Sequence, residues 1–399
     1  MKEGVEEGYK RSGLYSLIIS KVKAESLRSM QFFKSGRSDT SSTYASTPYS
    51  ELDMEALDLI LNEEKRYKRK GFGLLFAILM TVGAIWFIPE VGRTLWPSFL
   101  ALGTHKQLYF WSFNILGIGM ILVLNLGMWA IYSVRWTFFE RYRIATRAWP
   151  WEENPIAWRQ TLKRTLRTVV FNVGVITPVL ILLEVSFLGI SARMDTESFP
   201  ERTEFVLQLL FCMFMEDFTF YWSHRTLHSK TLYGKIHKMH HEFTQPIGIA
   251  AEYAHPLEYL IGNTVPFIMG PTLLDSRMHF FTKLAWLALR LGETLDGHCG
   301  YEFSWSPYRL IPFSGNYIFK GLGSAQYHNY HHTHNIGNYS SFFTIWDSVF
   351  GTNRSYFKYY TRVEKKIQQK NLAAKPKEFM AALHAKISQA VNKKKAKAE

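Results

Sequence analysis

The stretch GFGLLFAILMTVGAIWFI, residues 71–88, contains eighteen residues and no charged side chain. At about 1.5 Å of rise per residue, a helix of this length approaches the thickness of a membrane's hydrocarbon core. A basic cluster precedes it, with lysine or arginine at positions 65, 66, 68, 69 and 70. Because cytosolic flanks of membrane spans are enriched in these residues, the pattern predicts a spanning helix that starts on the cytosolic side.

Further apolar runs follow this one along the chain. Three are long, at residues 108–134, 169–190 and 205–222, and two weaker ones are at 259–274 and 280–295. Arginines and lysines crowd residues 135–167, which places that segment in the cytosol. The fold class predicted is an all-α integral membrane protein. It has about four transmembrane helices and a short re-entrant or spanning hairpin, capped by a cytosolic, helical, histidine-rich di-metal region.

Two details of these runs bear on the interior. Pro178 is expected to kink the third run, which membrane helices tolerate. Glu216 and Asp217 lie near the end of the fourth run. Carboxylates are costly inside a membrane, so they mark either a functional site or the point where the helix surfaces.

Composition agrees with a membrane protein whose ends are polar. The 399 residues are 47% hydrophobic and 16% aromatic, while the mean hydropathy is only -0.10. The net charge is +14, and the basic residues that produce it flank the apolar runs, so no nucleic-acid partner is predicted. Two cysteines cannot build a disulfide framework, which favours a reduced, cytosol-facing working part.

The domain organisation follows from the same patterns. Residues 1–64 are a polar, disordered tail, and residues 65–200 hold transmembrane helices and a basic cytosolic loop. Residues 201–362 form the catalytic region, and residues 363–399 a basic C-terminal tail. Lys395 and Lys397 near the C-terminus resemble a signal that returns membrane proteins to the endoplasmic reticulum. A solvated basic tail is the alternative interpretation of these lysines.

Histidines supply the chemistry. Of 14 in the chain, eight form three tight clusters, at positions 224 and 228, at 237, 240 and 241, and at 328, 331 and 332. Spacings of four and of three place two imidazoles on one helix face. The adjacent histidine in the second and third clusters is then expected to reach a neighbouring site. The clusters therefore predict two adjacent metals bound by His224, His228, His237, His240, His241, His328, His331 and His332.

Ligand chemistry narrows the kind of metal. Neutral imidazole suits iron, copper, nickel or zinc rather than magnesium or calcium. Structural zinc sites usually include cysteine, and the two cysteines here, Cys212 and Cys299, have no ligand spacing. Four other histidines, His105, His279, His334 and His384, do not fit the clusters and are not predicted to bind metal.

The clusters are accompanied by further motifs: HKMHHEFTQPIGIAAEYAHPLE at residues 237–258, His298-Cys-Gly-Tyr301, Trp346-Asp347, and Phe350-Gly-Thr352. Together, over residues 216–356, they resemble the fatty acid hydroxylase/sterol desaturase superfamily, most closely the sterol C-4 methyl oxidases. That resemblance implies a non-haem di-iron monooxygenase of the endoplasmic reticulum membrane that oxidises the C-4 methyl group of a sterol with O2. Its electrons come from NAD(P)H through cytochrome b5 or its reductase. Both termini and the active site would be cytosolic.

The resemblance also assigns residues. It makes the eight clustered histidines iron ligands and adds His298 as a ninth, with no catalytic residue separate from the ligands. His255 is expected to orient a ligand or line the pocket, and Glu216 and Asp217 to lie near the metals or the substrate. Gln326 and Asn329 stand where relatives often have Glu and Asp. An amide accepts a hydrogen bond but supplies no charge, so these positions put efficiency or substrate in doubt.

Other functions remain open at this level. The same motifs serve other sterol desaturases and hydroxylases, side-chain sterol oxidases and fatty-acyl hydroxylases. A different class is a membrane protein that binds metal without catalysis. The expected partners are the lipid bilayer, a sterol, and cytochrome b5 or its reductase, and a complex with other sterol-pathway enzymes is a further option.

Overall fold

The structure, a computed structural model, describes residues 70–144, 148–310 and 324–359. These residues contain no β-strand, and their extended pairing is limited to the isolated bridges Arg143–Tyr301 and Arg193–His279. Four of their helices are long and apolar enough to cross a membrane. The prediction of an all-α membrane protein is confirmed. Both predicted tails, with Lys395 and Lys397, lie outside the described residues.

Eight helices are labelled in chain order. They are α1 Lys70–Leu100, α2 His105–Val134, α3 Pro155–Leu188, α4 Arg202–Leu227, α5 Val265–Leu274, α6 Phe280–His298, α7 Ser324–His334 and α8 Ile345–Phe350. Short α-helical turns are Thr137–Glu140, Pro150–Glu153 and Pro256–Glu258, and 3-10 turns are His237–Glu242, Gly248–Glu252, Asp275–Arg277 and Pro307–Leu310. Segments of π-helix occupy Asn172–Ile176 and Glu184–Leu188, within α3, and Tyr259–Thr264, before α5.

Helix α1 is longer than the apolar run that predicts it. It continues through Pro89 and Pro97 to Leu100 instead of ending near residue 88. Charged side chains on its last turns find partners on α4, because Glu90 pairs with Arg202 at 2.8 Å. The neighbouring Arg93 pairs with Glu201 at 3.2 Å. Tertiary ion pairing at this end allows the helix to continue where sequence alone suggests a stop.

Helix α3 departs from expectation in its start, and it contains Pro178. It begins at Pro155, well before the apolar run at residue 169, and its basic first half bonds Glu242 through Arg164 at 3.1 Å. Pro178 follows the π-helical segment Asn172–Ile176. Proline has no N–H to donate to a carbonyl of the preceding turn, and the wider π turn accommodates that unpaired carbonyl. The Thr177 hydroxyl donates to the Asn172 carbonyl at 3.3 Å.

Helix α4 carries its two carboxylates into the interior. It continues to Leu227, past the apolar run that ends at residue 222, and Glu216 and Asp217 are fully buried. The alternative that the helix surfaces at Glu216 is therefore wrong. Helix α5 packs closely on α4, because a Cβ added at Gly270 would lie 2.6 Å from the Cα of Cys212. A glycine there lets the two backbones approach.

The predicted hairpin is a pair of helices that runs the length of the bundle. Residues 256–274 and α6 are each long enough, at about 1.5 Å per residue, to approach the thickness of a hydrocarbon core. Their turn bonds the segment before α4, where the Arg193 N–H donates to the Met278 carbonyl at 3.0 Å. Neither helix is among the four described helices that are long and apolar enough to cross a membrane, so the hairpin stays a prediction in its spanning and its re-entrant form.

The bundle has two distinct ends. At the end called here the far end, Trp96 of α1 donates to the Met194 carbonyl at 2.8 Å, beside the turn before α6. At the opposite end, called the histidine end, Tyr132 of α2 donates to the carbonyl of Cys299, next to His298. The basic half of α3 lies at this second end as well. The basic segment and the histidine clusters therefore share one side of the molecule, as predicted.

Candidate metal centre

The histidine end brings the predicted ligands together in two groups. One, called the five-histidine group, contains His224, His228, His237, His241 and His331. The other, called the four-histidine group, contains His240, His298, His328 and His332. Within each group the ligand atoms lie within 4.8 Å of one another, so each group could hold a metal ion. The nine side chains are the nine named from the sequence.

Each group draws on several elements. His224 is on the last turn of α4, and His228 caps that helix. His298 is the last residue of α6. The second cluster occupies the 3-10 turn His237–Glu242, and the third cluster lies on α7. A centre assembled from the ends of three helices and one turn exists only when the bundle is packed.

The division of the second and third clusters differs from the expectation. In both clusters, the two histidines that are four residues apart belong to one group. The histidine three residues after the first one belongs to the other group. His237 and His241 are thus separated from His240, and His328 and His332 from His331. On α7, at 3.6 residues per turn, positions four apart diverge by about 40° around the helix and positions three apart by about 60° the other way. The two clusters therefore reach both groups in a crossed arrangement.

The hydrogen bonds on Nδ1 fix the state of most rings. In the five-histidine group, Nδ1 of His224 bonds the Tyr339 carbonyl at 2.9 Å and Nδ1 of His331 the Gly337 carbonyl at 2.6 Å. His237 bonds a carboxylate instead, Oε1 of Glu258, at 2.7 Å. Carbonyl and carboxylate oxygens only accept, so each Nδ1 carries the proton. The Nε2 atom of each of these rings is then a bare lone pair.

The four-histidine group is built in the same way. Nδ1 of His240 bonds the Tyr253 carbonyl at 3.2 Å, and Nδ1 of His298 bonds the Thr294 carbonyl at 2.6 Å. Nδ1 of His332 bonds the Phe243 carbonyl at 3.0 Å. These three rings also turn Nε2 towards the centre of their group.

The Nε2 atoms converge at distances that demand a cation. Nε2 of His224 and Nε2 of His237, on two rings that carry the proton on Nδ1, approach at 3.1 Å. In the other group, Nε2 of His298 and Nε2 of His240, on two rings of the same kind, approach at 3.4 Å. Two lone pairs this close repel unless a positive ion lies between them, and outer bonds that fix the tautomer are typical of metal-bound histidine. The residues present therefore fit a transition metal in each group.

Burial keeps these imidazoles neutral. It lowers the pKa of His228 to about 3 and the pKa of His240 to about 4. Burial and neighbouring histidines also hold the pKa values of His237 and His331 well below the usual range. Neutral imidazole is the form that binds metal, so the centre is ready to bind at neutral pH.

Buried carboxylates supply the negative charge that neutral ligands lack. Eight are buried among the described residues, where Arg290 is the one buried lysine or arginine. The acidic residues are Glu216, Asp217, Glu252, Glu258, Glu293, Asp296, Glu302 and Asp347. Buried charge is unfavourable without a counter-charge, and two metal cations in an all-imidazole shell provide one.

Two of these carboxylates hold the loop that anchors the five-histidine group. Asp217 accepts the backbone N–H groups of Ser341 at 2.9 Å and Phe343 at 3.1 Å. Asp347 accepts those of Tyr339 and Ser340, both at 2.9 Å. The loop's own carbonyls, from residues 337 and 339, then fix His331 and His224. Glu216 bonds Arg290 at 2.7 Å instead.

The other predicted site residues lie outside the two groups. His255 caps the turn before α5, where its Nδ1 accepts the Leu257 N–H at 3.2 Å, and it does not touch a clustered histidine. The backbone N–H of Gln326 donates to Glu302 at 2.9 Å. Asn329 has a buried side-chain oxygen without a hydrogen-bond partner among the described residues. Of the histidines predicted not to bind metal, His279 caps α6 and bonds the Asp195 carbonyl at 3.1 Å.

Sequence reasoning missed Glu258 and the anchoring carbonyls. A signal for Glu258 existed, because it ends the quoted 237–258 motif three residues after His255. Asp347 likewise belongs to a quoted motif without having been given a role. Every residue has a backbone carbonyl, whatever its side chain, so the sequence gives no signal for the anchoring carbonyls of Gly337, Tyr339 and Thr294.

An elongated cavity runs from the centre towards the far end. Its volume is about 560 Å³, and α2, α3, α5 and α6 line it mainly with apolar side chains. A smaller pocket of about 30 Å³ adjoins the four-histidine group and is lined by His298 and His328. Arg290 and Thr294 line both spaces. A lipid-sized cavity thus opens towards one of the two histidine groups.

Comparisons with known proteins point the same way. The fatty acid hydroxylase family model matches residues 209–352. A methylsterol monooxygenase of Arabidopsis thaliana is 36% identical over 58% of this chain and 80% of its own length. A second one from that plant is 43% identical over 38% of this chain and 57% of its own length. A very-long-chain aldehyde decarbonylase of Oryza sativa subsp. indica is 35% identical over 58% of this chain and 80% of its own length. No solved structure matches the chain.

Proposed function

Because the chain belongs to the fatty acid hydroxylase family and is an oxygen-dependent oxidoreductase, we propose that it oxidises the C-4 methyl group of a sterol. One observation carries the proposal: nine convergent imidazoles lie beside a small pocket that shares Arg290 and Thr294 with an apolar cavity of lipid size. The methylsterol monooxygenases among the relatives favour a sterol over the other lipids that this family accepts.

The proposed ligands are the nine grouped histidines, each group holding one iron. Iron bound there would supply the reduction of O2 that oxygen insertion into a C–H bond requires. The protein's own work is positional. The carbonyls of Gly337, Tyr339 and Thr294 and the carboxylate of Glu258 each hold one ring in one orientation, which keeps the geometry of these four ligands rigid during turnover.

The cavity supports the second part of the proposal. Phe113, Ile181, Phe267 and Leu287 are among the side chains that line it, and they suit the rings and tail of a sterol. A water-poor apolar wall also protects a reactive oxidant from wasteful reaction with solvent. The narrow junction at Arg290 and Thr294 limits the part of the substrate that reaches the four-histidine group.

Location and electron supply complete the proposal. The basic half of α3 and the basic residues before α1 support the proposal that the histidine end and both termini are cytosolic, with the chain in the endoplasmic reticulum membrane. Electrons would come from NAD(P)H through cytochrome b5 or its reductase, and association with other enzymes of the sterol pathway follows from the same placement.

A sterol profile tests the substrate. Cells that lack the protein should accumulate 4-methylsterols, and the purified, iron-loaded protein should oxidise them when given a reductase, NADH and O2. Accumulation of a sterol that lacks one ring double bond would favour a desaturase instead. Turnover of a very-long-chain aldehyde, without turnover of any sterol, would favour the decarbonylase reaction. Iron binding without O2 consumption would favour a non-catalytic protein.

A further inference from the structure

The junction between the large cavity and the four-histidine group contains an unusual buried arginine. Arg290 lies on α6, two helical turns before His298, and is 8% exposed. Its Nε donates to Glu216 at 2.7 Å, and its Nη1 donates to Glu293 at 2.8 Å. Nη2 makes no hydrogen bond to a described residue, although the side chain lines both the cavity and the small pocket. The two N–H groups on Nη2 are therefore available to a ligand.

A hydrogen-bond acceptor is wanted at this place. A neutral hydroxyl oxygen accepts from the N–H groups on Nη2 of Arg290, whose side chain lines both spaces. Glu216 lines neither space and holds the guanidinium in place through Oε1. A carboxylate ligand would add a third negative charge beside Glu216 and Glu293, and like charges at this range repel. The chemistry therefore selects a neutral hydroxyl.

The far end of the cavity offers a second polar cluster, but its groups already bond one another. Tyr109 donates to Glu184 at 2.7 Å, and Lys283 bonds both Glu184, at 3.1 Å, and the Tyr109 hydroxyl. Lys283 precedes Thr294 by eleven residues on α6, about 16 Å along the helix. A lipid with one hydroxyl thus meets an unsatisfied site near the metal groups and a satisfied one far from them.

We infer that Arg290, held by Glu216 and Glu293, donates to the hydroxyl of the sterol and so directs the adjacent carbon at the four-histidine group. The inference rests on the proposed function and adds its specificity-determining residues. The pocket beyond Arg290 has about the volume of one water molecule, about 30 Å³, and is lined by His298 and His328. A substituent one carbon away from the bound hydroxyl would fill it. In a 4-methylsterol that substituent is the C-4 methyl group, next to the 3-hydroxyl.

The test compares a 4-methylsterol with its 3-deoxy analogue in the full-length, iron-loaded protein in lipid nanodiscs. The dissociation constants are measured without reductant, so that binding is separated from turnover, and kcat/KM is measured with reductant. Because the hydroxyl hydrogen-bonds a charged group, we expect the wild-type protein to prefer the hydroxysterol over the 3-deoxy analogue by a factor on the order of 10 to 100. Arg290→Gln should reduce that ratio to near one, and Arg290→Lys should restore part of it.

Arg290→Gln alone leaves two buried carboxylates unpaired and threatens folding. A second variant, Arg290→Gln with Glu216→Gln and Glu293→Gln, removes the three charges together and should show the same loss of preference. The matched control is Lys283→Met with Glu184→Leu, which removes the ion pair at the far end and should leave the ratio unchanged.

Two results would overturn the inference. Arg290 variants that fold, bind iron and keep the preference exclude a hydroxyl at this junction. Loss of the preference in the Lys283 and Glu184 variant instead would place the hydroxyl at the far end and the reaction on the sterol side chain. Failure of the proposed function is distinguishable, because an Arg290-dependent preference in binding without oxidation of any 4-methylsterol would contradict only the proposed reaction.

Discussion

The five-histidine group and the four-histidine group use the same side chain but differ in what surrounds them. Beyond its rings, the first is anchored by Glu258 and by the loop carbonyls at residues 337 and 339. The second adjoins the small pocket through His298 and His328, and that pocket shares Arg290 and Thr294 with the cavity. Both groups therefore use imidazole ligands, but they differ in their access from the pocket and in the charge of the groups that anchor their rings. We expect the four-histidine group to face the substrate and the five-histidine group to be closed off from it.

The largest effect should come from removing a ligand. His328→Ala leaves three imidazoles in the four-histidine group, and we expect iron to fall from about two to about one per chain, with loss of at least ~100-fold in turnover. Iron analysis of the purified protein together with sterol oxidation measures both. His228→Ala, in the other group, is the counterpart. If either variant kept two irons and full activity, that histidine would not be a ligand.

A smaller effect is expected from the carboxylate that distinguishes the five-histidine group. In Glu258→Gln the amide still accepts from His237 but carries no charge, and partners of this kind typically change metal affinity by 10- to 100-fold. Chelator titration should show weakened binding of one iron and unchanged binding of the other. The control is Glu252→Gln, since Glu252 is a buried carboxylate that lines the cavity and has no hydrogen bond to a described histidine. Equal weakening in both variants would mean that general buried charge, not the His237 contact, controls affinity.

The loop that serves the five-histidine group should be sensitive to Asp347. Its two oxygens accept the Tyr339 and Ser340 N–H groups, and asparagine can accept only one of them. Leaving a buried N–H without a partner costs about 1–3 kcal/mol, so Asp347→Asn should lower the melting temperature in detergent by several degrees. Thermal unfolding and metal release should shift together. Unchanged unfolding would show that water replaces the lost bond.

The smallest effect on metal is expected at His279, which lies at the far end. Its ring accepts the Phe281 N–H as the cap of α6 and bonds the Asp195 carbonyl. His279→Ala should cost about 1 kcal/mol in stability, as loss of a helix cap does, with no change in iron content. Iron analysis and thermal unfolding of the same preparation check both parts. Loss of iron would show that the two ends are coupled through α6.

The sequence by itself determined the fold class and the candidate ligands. Uncharged runs long enough to cross a membrane require helices, since backbone groups have no other hydrogen-bond partners in lipid. Tight histidine spacing pointed to the candidate ligands because helical periodicity is local, and the family resemblance added His298. The same local reasoning fell short at the ends of α1, α3 and α4, where Arg202, Glu242 and the buried surroundings of Glu216 decide how far each helix extends.

Only the tertiary structure decided how the ligands divide and what holds them. The crossed assignment of His240 and His331 depends on how α7 and the 237–242 turn face each other, which no spacing within one cluster specifies. The anchoring carbonyls come from distant residues and have no side-chain signature. His255, a residue carried over from the family pattern, caps a turn, while Glu258 three residues later bonds His237. A contact between elements distant in the chain depends on packing, and packing is a property of the whole bundle.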